Sequence, residues 1–251
     1  PMLDGKRYDD PTGKYYVGDE QALLKAFWKN RDPRFNRACL YNGREWPVAG
    51  RSADNRMYNA LGVSNADDQY GVNPNAGVNA ANNDIFSGMY NYKVSDLSLT
   101  QDKVMTFDID YILMRFAEVM FIYAEAANEN GHSDVAIDLL KQIRKRAGIP
   151  GYGETVNLPK PTTTEEVMEL IRKEKRIELS FENCRYFDVR RWGLVNEYFN
   201  KAIHGMNVNY DGNEFFKRTE IVKRIFDRQY FFPIPQGEID IDKNLVQNTG
   251  F

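Results

Sequence analysis

The sequence has few of the residues that build disulfide frameworks, metal sites and catalytic centres. Its 251 residues include two cysteines, Cys39 and Cys184, and two histidines, His132 and His204. The cysteines form no CxxC pair, which argues against a disulfide framework and a zinc site. The sequence contains no phosphate-binding glycine loop, no G-x-S-x-G and no H-E-x-x-H. It therefore predicts a protein that is not an enzyme and that needs no cofactor and no metal.

Two weak patterns keep alternatives open. Acid pairs such as Asp67-Asp68 leave glycosidase activity as an alternative, because two carboxylates at the right separation suffice for that chemistry. Asp240, Asp242 and Asn244 have the spacing of the first three ligands of a calcium loop. The sixth position is Leu245 and the twelfth is Phe251, so the match to that loop stays partial.

A large charge of one sign and long hydrophobic runs are also missing. The chain carries 33 basic and 36 acidic residues, a net charge of −3, which argues against a nucleic-acid partner. Its most apolar stretch, "YILMRFAEVMFIYAEAANENG" at positions 111–131, is interrupted by Arg115, Glu118 and Glu125 and is therefore not a membrane span. The chain starts at Pro1 with no signal peptide, so we expect a processed or truncated piece.

That stretch has helical periodicity instead. One face of a helix Ile112–Asn128 would carry apolar residues at helical spacing, and small and apolar residues would fill an adjoining face, so the helix should be buried on most of its circumference. The two faces are Ile112, Phe116, Val119, Tyr123 and Ala126, and Leu113, Ala117, Met120 and Ala124. Asn130-Gly131 predicts a left-handed stop, and Ser133 an N-cap for a second helix, Asp134–Ala147.

A second helical pair follows. Thr163 and Glu166 fit a capping box, and the helix after them sets two acids, Glu174 and Glu178, in an apolar face. A further helix is expected after Asn183, continuing to Phe199. Two pairs in tandem fit a tetratricopeptide-like array or a generic helical bundle. The charges of these helices predict an ion-pair lattice, and Trp192 is predicted to lie in the core. The charged residues of this lattice are Arg176, Glu178, Arg185, Asp188, Arg190 and Arg191.

The first hundred residues have a different character. A short helix is expected near Glu20–Lys29, ending before Pro33. From Tyr41 to Tyr92 no period is sustained, and nine asparagines lie between Asn55 and Asn91. A loop of this length is functional or disordered. Its aromatic and apolar residues argue against disorder.

Three clusters within this part combine an aromatic ring with polar groups. Sugars need flat rings for their C–H faces and fixed amides, carboxylates or guanidinium groups for their hydroxyls. The predicted ligand-binding residues are Arg44, Trp46, Tyr58, Asn59, Asp68 and Tyr70.

Four segments carry a family resemblance. They are the stretch at 111–131, "AIDLLKQIRKRAGIP", "IRKEKRIELSFENCRYFDVRRWG" and "YFFPIPQGEIDIDKNLVQNTGF". In this order they resemble the SusD/RagB family of outer-membrane nutrient-binding lipoproteins of Bacteroidetes. The resemblance covers Asp108 to Phe251, and "NRDPRF" at Asn30–Phe35 extends it upstream.

The resemblance implies a mainly α fold, in which tetratricopeptide-like helical hairpins (108–251) carry a loop-rich ligand-binding part (1–107). It implies capture of an oligosaccharide or polysaccharide at the outer-membrane surface for a SusC-like, TonB-dependent transporter. A lipid anchor absent from this chain would make the membrane association. Peptide or glycoprotein capture, and a helical-repeat interaction module, remain alternatives. The family's first helical repeats are absent, so we expect one face of the Ile112 hairpin to dimerise or to need the missing part.

Overall fold

A computed structural model of the chain describes residues 2–7, 10–16, 18, 28–41, 44, 49, 89–100, 103, 106–108, 110–206, 218–223 and 231–248. The fold of these residues is mainly helical, as predicted. In chain order the elements are α1 (Pro33–Ala38), β1 (Cys39–Tyr41), β2 (Met89–Asn91), α2 (Phe116–Glu129), α3 (Ser133–Arg146), α4 (Thr164–Glu178), α5 (Cys184–Arg191), α6 (Val195–Tyr198), β3 (Ala202–Met206), β4 (Arg218–Lys223) and α7 (Gln236–Ile241).

Helices α2, α3 and α4 form the centre of the fold. The short turn between α2 and α3 makes them a hairpin, and α4 packs against both. Each helix contributes an apolar stripe at helical spacing to one core. Fully or almost fully buried core residues are Phe121, Ala124, Ala136, Ile137, Leu140, Ile143, Val167 and Ile171. Small residues on α2, such as Ala117 and Ala124, let its neighbours approach closely.

The turn between α2 and α3 confirms one sequence prediction and corrects another. Gly131 has φ +82°, the left-handed conformation expected for the stop, and His132 N–H donates to Ala127 O at 2.8 Å. Ser133 was predicted as the N-cap of α3, which is wrong: His132 occupies that position without a side-chain cap. The Ser133 hydroxyl donates instead to Asn128 Oδ1 at 2.7 Å. It therefore ties α3 back to the buried end of α2.

Helix α2 begins four residues later than predicted, at Phe116 and not at Ile112. Arg115 precedes it in extended backbone, with φ −129° and ψ 161°. In this position the Arg115 guanidinium reaches the end of α4, where Nη1 lies 2.9 Å from Glu178 Oε1 and Nε donates to Glu182 Oε2 at 2.7 Å. Charge-assisted contacts of this kind outweigh the small helical preference of four residues.

The predicted burial of α2 is also corrected. The side chains of Phe116, Val119 and Tyr123 are 76%, 43% and 56% exposed, whereas Phe121 and Ala124 are fully buried. The buried side also carries Glu125 and Asn128, so apolar periodicity alone favours the other side. The structure buries these two residues because Arg191 pairs with Glu125 and because Asn128 Nδ2 donates to Thr164 O at 3.0 Å.

Helix α4 begins as the sequence predicts. The Thr163 hydroxyl accepts a hydrogen bond from Glu166 N–H at 3.1 Å, and the Glu166 carboxylate accepts from Thr163 N–H at 3.2 Å. Both halves of the capping box are thus present. The expected single helix after Asn183 is instead two, α5 and α6, because Gly193 with φ +71° interrupts the backbone between them.

Some elements of the structure were not predicted from the sequence, and one predicted helix cannot be compared with it. Strands β3 and β4 pair antiparallel with a bulge at Ile203/His204, and no sequence pattern indicated them. The helix expected near Glu20–Lys29 lies almost wholly outside the described residues, within which 28–30 form a turn. Helix α1, which was not predicted, begins with Pro33 after the N-cap Asp32.

The predicted division of the chain into a ligand-binding part (1–107) and a helical scaffold (108–251) stays a prediction. Among the described helices, none is long and apolar enough to cross a membrane.

Candidate functional site

A buried ion cluster fastens α1 to the helical core. Arg34 donates from Nη1 to Glu174 Oε2 at 2.7 Å and from Nη2 to Asp32 Oδ2 at 2.7 Å. Arg144 pairs with the other oxygen of Glu174, and the Tyr152 hydroxyl donates to that oxygen at 2.7 Å. Glu174 is fully buried and therefore needs these partners. The cluster holds α1, and with it the strand that follows, at a fixed place on α4.

The pKa directions agree with this geometry. Burial alone would raise the pKa of Asp32, but its hydrogen bonds and charge contact with Arg34 hold that pKa below the ordinary value. The pKa of Tyr152 is raised by burial and by the neighbouring Glu174 carboxylate, so the phenol stays protonated and can donate. The cluster thus pairs the buried carboxylates of Asp32 and Glu174 with the guanidinium groups of Arg34 and Arg144.

Strand β1 follows α1 directly, and its pairing with β2 forms the base of a long connection. They pair antiparallel in the register Cys39↔Asn91, Leu40↔Tyr90 and Tyr41↔Met89. Leu40 and Tyr92 are buried in a small cluster beneath this pair. The two ends of residues 42–88 therefore start from neighbouring strands. That stretch contains all six residues that the sequence predicted as ligand contacts.

Of those six residues, the structure describes Arg44. Its guanidinium carbon lies 4.1 Å from the centroid of the Tyr92 ring, and Nη1 donates to the carbonyl of Cys39. Its backbone N–H donates to Tyr41 O at 3.0 Å. Arg44 thus joins the start of the connection to the end of β2, a positioning contact that sequence reasoning did not foresee. Trp46, Tyr58, Asn59, Asp68 and Tyr70 lie outside the described residues, and their role stays a prediction.

A group of aromatic rings beside this base was missed at the sequence level. The rings of Trp28, Phe35 and Tyr41 are nearly parallel: the Trp28 and Tyr41 centroids are 4.7 Å apart at 14°, and those of Phe35 and Tyr41 are 5.5 Å apart at 23°. All three side chains are half-buried. Trp28 lies in the turn at 28–30, Phe35 in α1 and Tyr41 in β1, so no single helical or strand period links the three rings. The packing of these three elements brings them together.

The predicted ion-pair lattice is confirmed for Glu178, Asp188 and Arg191, where α4 meets α2, α3 and α5. Among the described residues, Arg176, Arg185 and Arg190 make no ion pair, and Arg185 and Arg190 lie over aromatic rings instead. Glu178 pairs with Arg115 and with Arg146, while Lys175 donates to Asp188 Oδ1 at 2.7 Å. Arg191 bridges Glu125 and Asp188. Trp192 is half-buried and not in the core, because the guanidinium groups of neighbouring arginines lie within 6 Å of its ring. Glu178, Asp188 and Arg191 therefore connect the helices of the scaffold to one another.

A groove of about 770 Å³ opens between the end of β2, residues 110–115 and the end of α4. Two of its cations are already neutralised: Lys93 donates to the carbonyls of Glu178 and Ser180 and pairs with Glu182, and Arg115 pairs with Glu178 and Glu182. Its other lining includes Val94, Tyr111, Ile112 and Phe181. Arg34 and Arg146 also line the groove and pair with Glu178, whereas Arg37 makes no ion pair among the described residues. Four of the five cations of the groove therefore have acidic partners.

The described residues hold no group of three or more histidine, cysteine, aspartate or glutamate side chains that could bind a metal ion. In the partial calcium pattern, Asp240 Oδ1 is 3.3 Å from Lys243 Nζ and Asp242 Oδ1 accepts from Asn244 N–H at 2.9 Å. Both carboxylates therefore make local contacts typical of a helix end and a turn.

Comparison with known proteins gives a consistent result. SusD-like protein P2 of Formosa agariphila is 33% identical over 142 residues, which are 56% of this chain and 25% of that protein. A solved SusD-like protein from Bacteroides fragilis has a TM-score of 0.74 and 26% identity over 100% of this chain and 45% of its own. A second solved protein from that species, a SusD-like carbohydrate-binding protein, has a TM-score of 0.66 at 24% identity over 98% of this chain and 46% of its own, which shows the shared fold.

The chain therefore spans less than half the length of these solved structures and a quarter of the length of P2. Within that span, the fold of this chain matches that of the first solved protein over 100% of this chain. The SusD family model matches residues 1–251. Because that match covers the whole sequence, this chain belongs to the SusD family.

Proposed function

We propose that this chain is the ligand-holding part of a non-catalytic nutrient-binding protein. It captures an oligosaccharide at the outer-membrane surface and delivers it to a SusC-like, TonB-dependent transporter. The observation that carries the proposal is the base formed by β1, β2 and Arg44, which starts both ends of residues 42–88 from one edge of a rigid helical scaffold. Binding residues tend to lie on loops that such scaffolds position.

The chemistry of residues 42–88 suits a sugar. Trp46, Tyr58 and Tyr70 supply rings with few rotatable bonds, and each has amide, carboxylate or guanidinium neighbours in the sequence. The stacked rings of Trp28, Phe35 and Tyr41 lie next to the same base. Family membership supports this choice, and one solved relative is described as a carbohydrate-binding protein. A lipid anchor would hold the protein at the cell surface.

Glycan-array screening followed by calorimetry tests the proposal. Capture before transport does not require tight binding, so we expect a dissociation constant between about 1 μM and 1 mM for an oligosaccharide. Trp46→Ala should then weaken binding by roughly 1–3 kcal/mol, the range for a stacked ring on a base, used by analogy. The matched control is Trp192→Phe, which changes an indole that lies among the arginines of the scaffold.

The outcomes separate the alternatives. If Trp46→Ala, Tyr58→Ala and Tyr70→Ala all bind like the parent chain while keeping its circular dichroism, residues 42–88 are not the binding surface. If the chain binds no glycan on the array but binds members of a peptide library, the cargo is peptide. If neither binds, the proposed capture function is wrong.

A further inference from the structure

A cavity of about 300 Å³ opens where α4 ends and α5 begins. Its volume lies at the lower end of the range for small-molecule sites, so it suits a small ligand. Its lining combines two arginines with three apolar or aromatic side chains. These are Arg176 on α4 and Arg185 on α5, together with Leu179, Phe181 and Tyr186. We name it the α4–α5 cavity.

Neither arginine is paired with a carboxylate of the described residues. Arg176 is exposed in the last turn of α4. The guanidinium carbon of Arg185 lies 4.3 Å from the centroid of the Tyr198 ring, and its Nη1 is buried without a hydrogen-bond partner among the described residues. A buried donor without an acceptor costs free energy, which an acceptor bound in the cavity would recover.

The positive charges of Arg176 and Arg185 act on each other. Burial and the charge of Arg176 lower the pKa of Arg185 from its ordinary value. A guanidinium group nevertheless stays charged at neutral pH. Its positive charge is therefore poorly compensated by the protein at this place, and a bound anion supplies the negative charge that both arginines lack.

Two carboxylates lie near the cavity, and neither compensates these arginines. Asp188 lines it but is shared by Lys175, whose Nζ is 2.7 Å from Oδ1, and by Arg191, whose Nη2 is 3.0 Å from the same oxygen. The carboxylate of Glu118 is not part of the lining, and its Oε1 lies 3.6 Å from Cys184 Sγ. The charge of Asp188 is thus used within the scaffold.

The start of α5 adds backbone donors beside the two guanidinium groups. Asn183 precedes the helix with φ 60°, and its side chain makes no cap. Its Nδ2 donates to the Tyr111 hydroxyl at 3.3 Å instead. The first turn of α5 also contains no acidic residue. The first N–H groups of such a helix carry a partial positive charge, which favours an anion at the same end of the cavity.

We propose that the α4–α5 cavity binds the oxyanion group of a small acidic ligand, a carboxylate or a sulfate carried on a sugar ring. Arg176 and Arg185 donate to the oxyanion, because a guanidinium group presents paired donors that match two oxygens of such a group. Phe181 is 48% exposed and contacts the apolar face of the ring. These residues belong to the scaffold, so the proposal does not rest on glycan capture by residues 42–88.

Calorimetric titration of the 251-residue chain with glucuronate, at fixed ionic strength, tests the proposal. We expect saturable binding that Arg176→Gln weakens by about tenfold, because it removes a charged donor from an exposed position where the fold does not depend on it. The matched control is Lys145→Gln, which removes an exposed positive charge from α3 and should change the affinity by less than about twofold. Glucose, which lacks the carboxylate, should bind much more weakly than glucuronate.

A second variant and a second anion complete the test. Arg185→Lys keeps the charge but removes the paired donors, so it should weaken binding by about fivefold or more while the circular dichroism of the parent chain is retained. Inorganic sulfate that binds as tightly as glucuronate identifies a free oxyanion as the ligand, and weaker binding of sulfate identifies an acidic sugar. The proposal is overturned if neither anion shows saturable binding, if Arg176→Gln binds both like the parent chain, or if glucose binds as tightly as glucuronate.

Discussion

Nη1 of Arg34 lies 2.7 Å from Oε2 of Glu174, and this buried ion pair joins helix α1 to helix α4 across 140 positions of sequence. Glu174 also accepts from Arg144 and from Tyr152 through its other oxygen. One carboxylate thus contacts two buried guanidinium groups, and Asp32 supplies a second negative charge to Arg34. Strand β1, which forms part of the base of the candidate site, follows α1 directly, so the position of that strand depends on this cluster.

Glu174→Gln should therefore destabilise the protein strongly. It removes the charge that compensates Arg34 and Arg144, both of which are buried, and such a loss costs about 3–5 kcal/mol. Glu169→Gln is the control on the same helix, because Glu169 pairs with Arg172 at the surface and its loss should cost at most about 1 kcal/mol. Urea unfolding followed by circular dichroism measures both, and equal costs would contradict a central role for Glu174.

Stability should fall as the pH drops below the ordinary carboxylate range. Burial alone would raise the pKa of Glu178, but its contacts with Arg146 and Arg115 hold that pKa below the ordinary value. In the unfolded chain Glu178 has its ordinary pKa, so on acidification the unfolded state takes up the proton first. The contribution of this group is complete above the unfolded pKa and is lost as the pH falls through the folded pKa.

Melting temperatures between pH 7 and pH 3 test this dependence. Glu178→Gln should lower the melting temperature at pH 7 and make its decrease toward pH 3 less steep than in the parent chain. Asp138→Asn, at an exposed position of α3, should leave the curve unchanged. Parallel curves for the parent chain and Glu178→Gln would show that this carboxylate does not set the pH dependence.

Cys184 should react slowly with alkylating reagents. Burial and the carboxylate of Glu118, whose Oε1 lies 3.6 Å from Sγ, raise the pKa of the thiol to about 11. Because the thiolate is the reactive form, alkylation by iodoacetamide at pH 8 should be about two orders of magnitude slower than for a free cysteine of pKa about 8.5. Mass spectrometry of the peptide that contains Cys184 gives the rate.

The Glu118→Gln variant provides the specific readout for this prediction. Removal of the carboxylate should lower the pKa of the Cys184 thiol and increase its rate at pH 8, whereas Glu129→Gln at the far end of α2 should not. A pH–rate profile of the parent chain with a midpoint near 8.5 would refute the predicted shift.

The capping box should contribute measurably to stability. Thr163→Ala removes the hydroxyl that accepts from Glu166 N–H, and the loss of such a cap costs about 1 kcal/mol, within a range of about 0.5–2 kcal/mol. Thr164→Ala is the neighbouring control, since Thr164 is exposed at the first helical position and its side chain does not cap the helix. We expect that control to be neutral or slightly stabilising, and a loss equal to that of Thr163→Ala would argue against the cap.

Local signals in the sequence were sufficient to predict the main helices of the scaffold. The Thr163–Glu166 capping box, the left-handed Gly131 and the apolar spacing of α3 and α4 act within a few residues, so they can be read without knowing the rest of the fold. Four longer segments, in the order in which they occur, were sufficient to identify the resemblance to the SusD/RagB family. Of the candidate site, the role of Arg44 as a ligand contact stays a prediction, and its contact with Tyr92 could not be predicted from the sequence.

What the sequence by itself determined is thus the helical class, the bounds of α3 to within one residue, the start of α4 and the family. The tertiary structure decided which side of α2 is buried, because Glu125 and Asn128 on that side find their partners only when the other helices pack against it. It also decided where α2 begins, because Arg115 donates hydrogen bonds to Glu182 Oε2 and to the carbonyl of Glu178, which are more than sixty positions away in the sequence. The same holds for Arg34 and Glu174: long-range charge pairing has no local signal, because its partners meet only when the chain has folded.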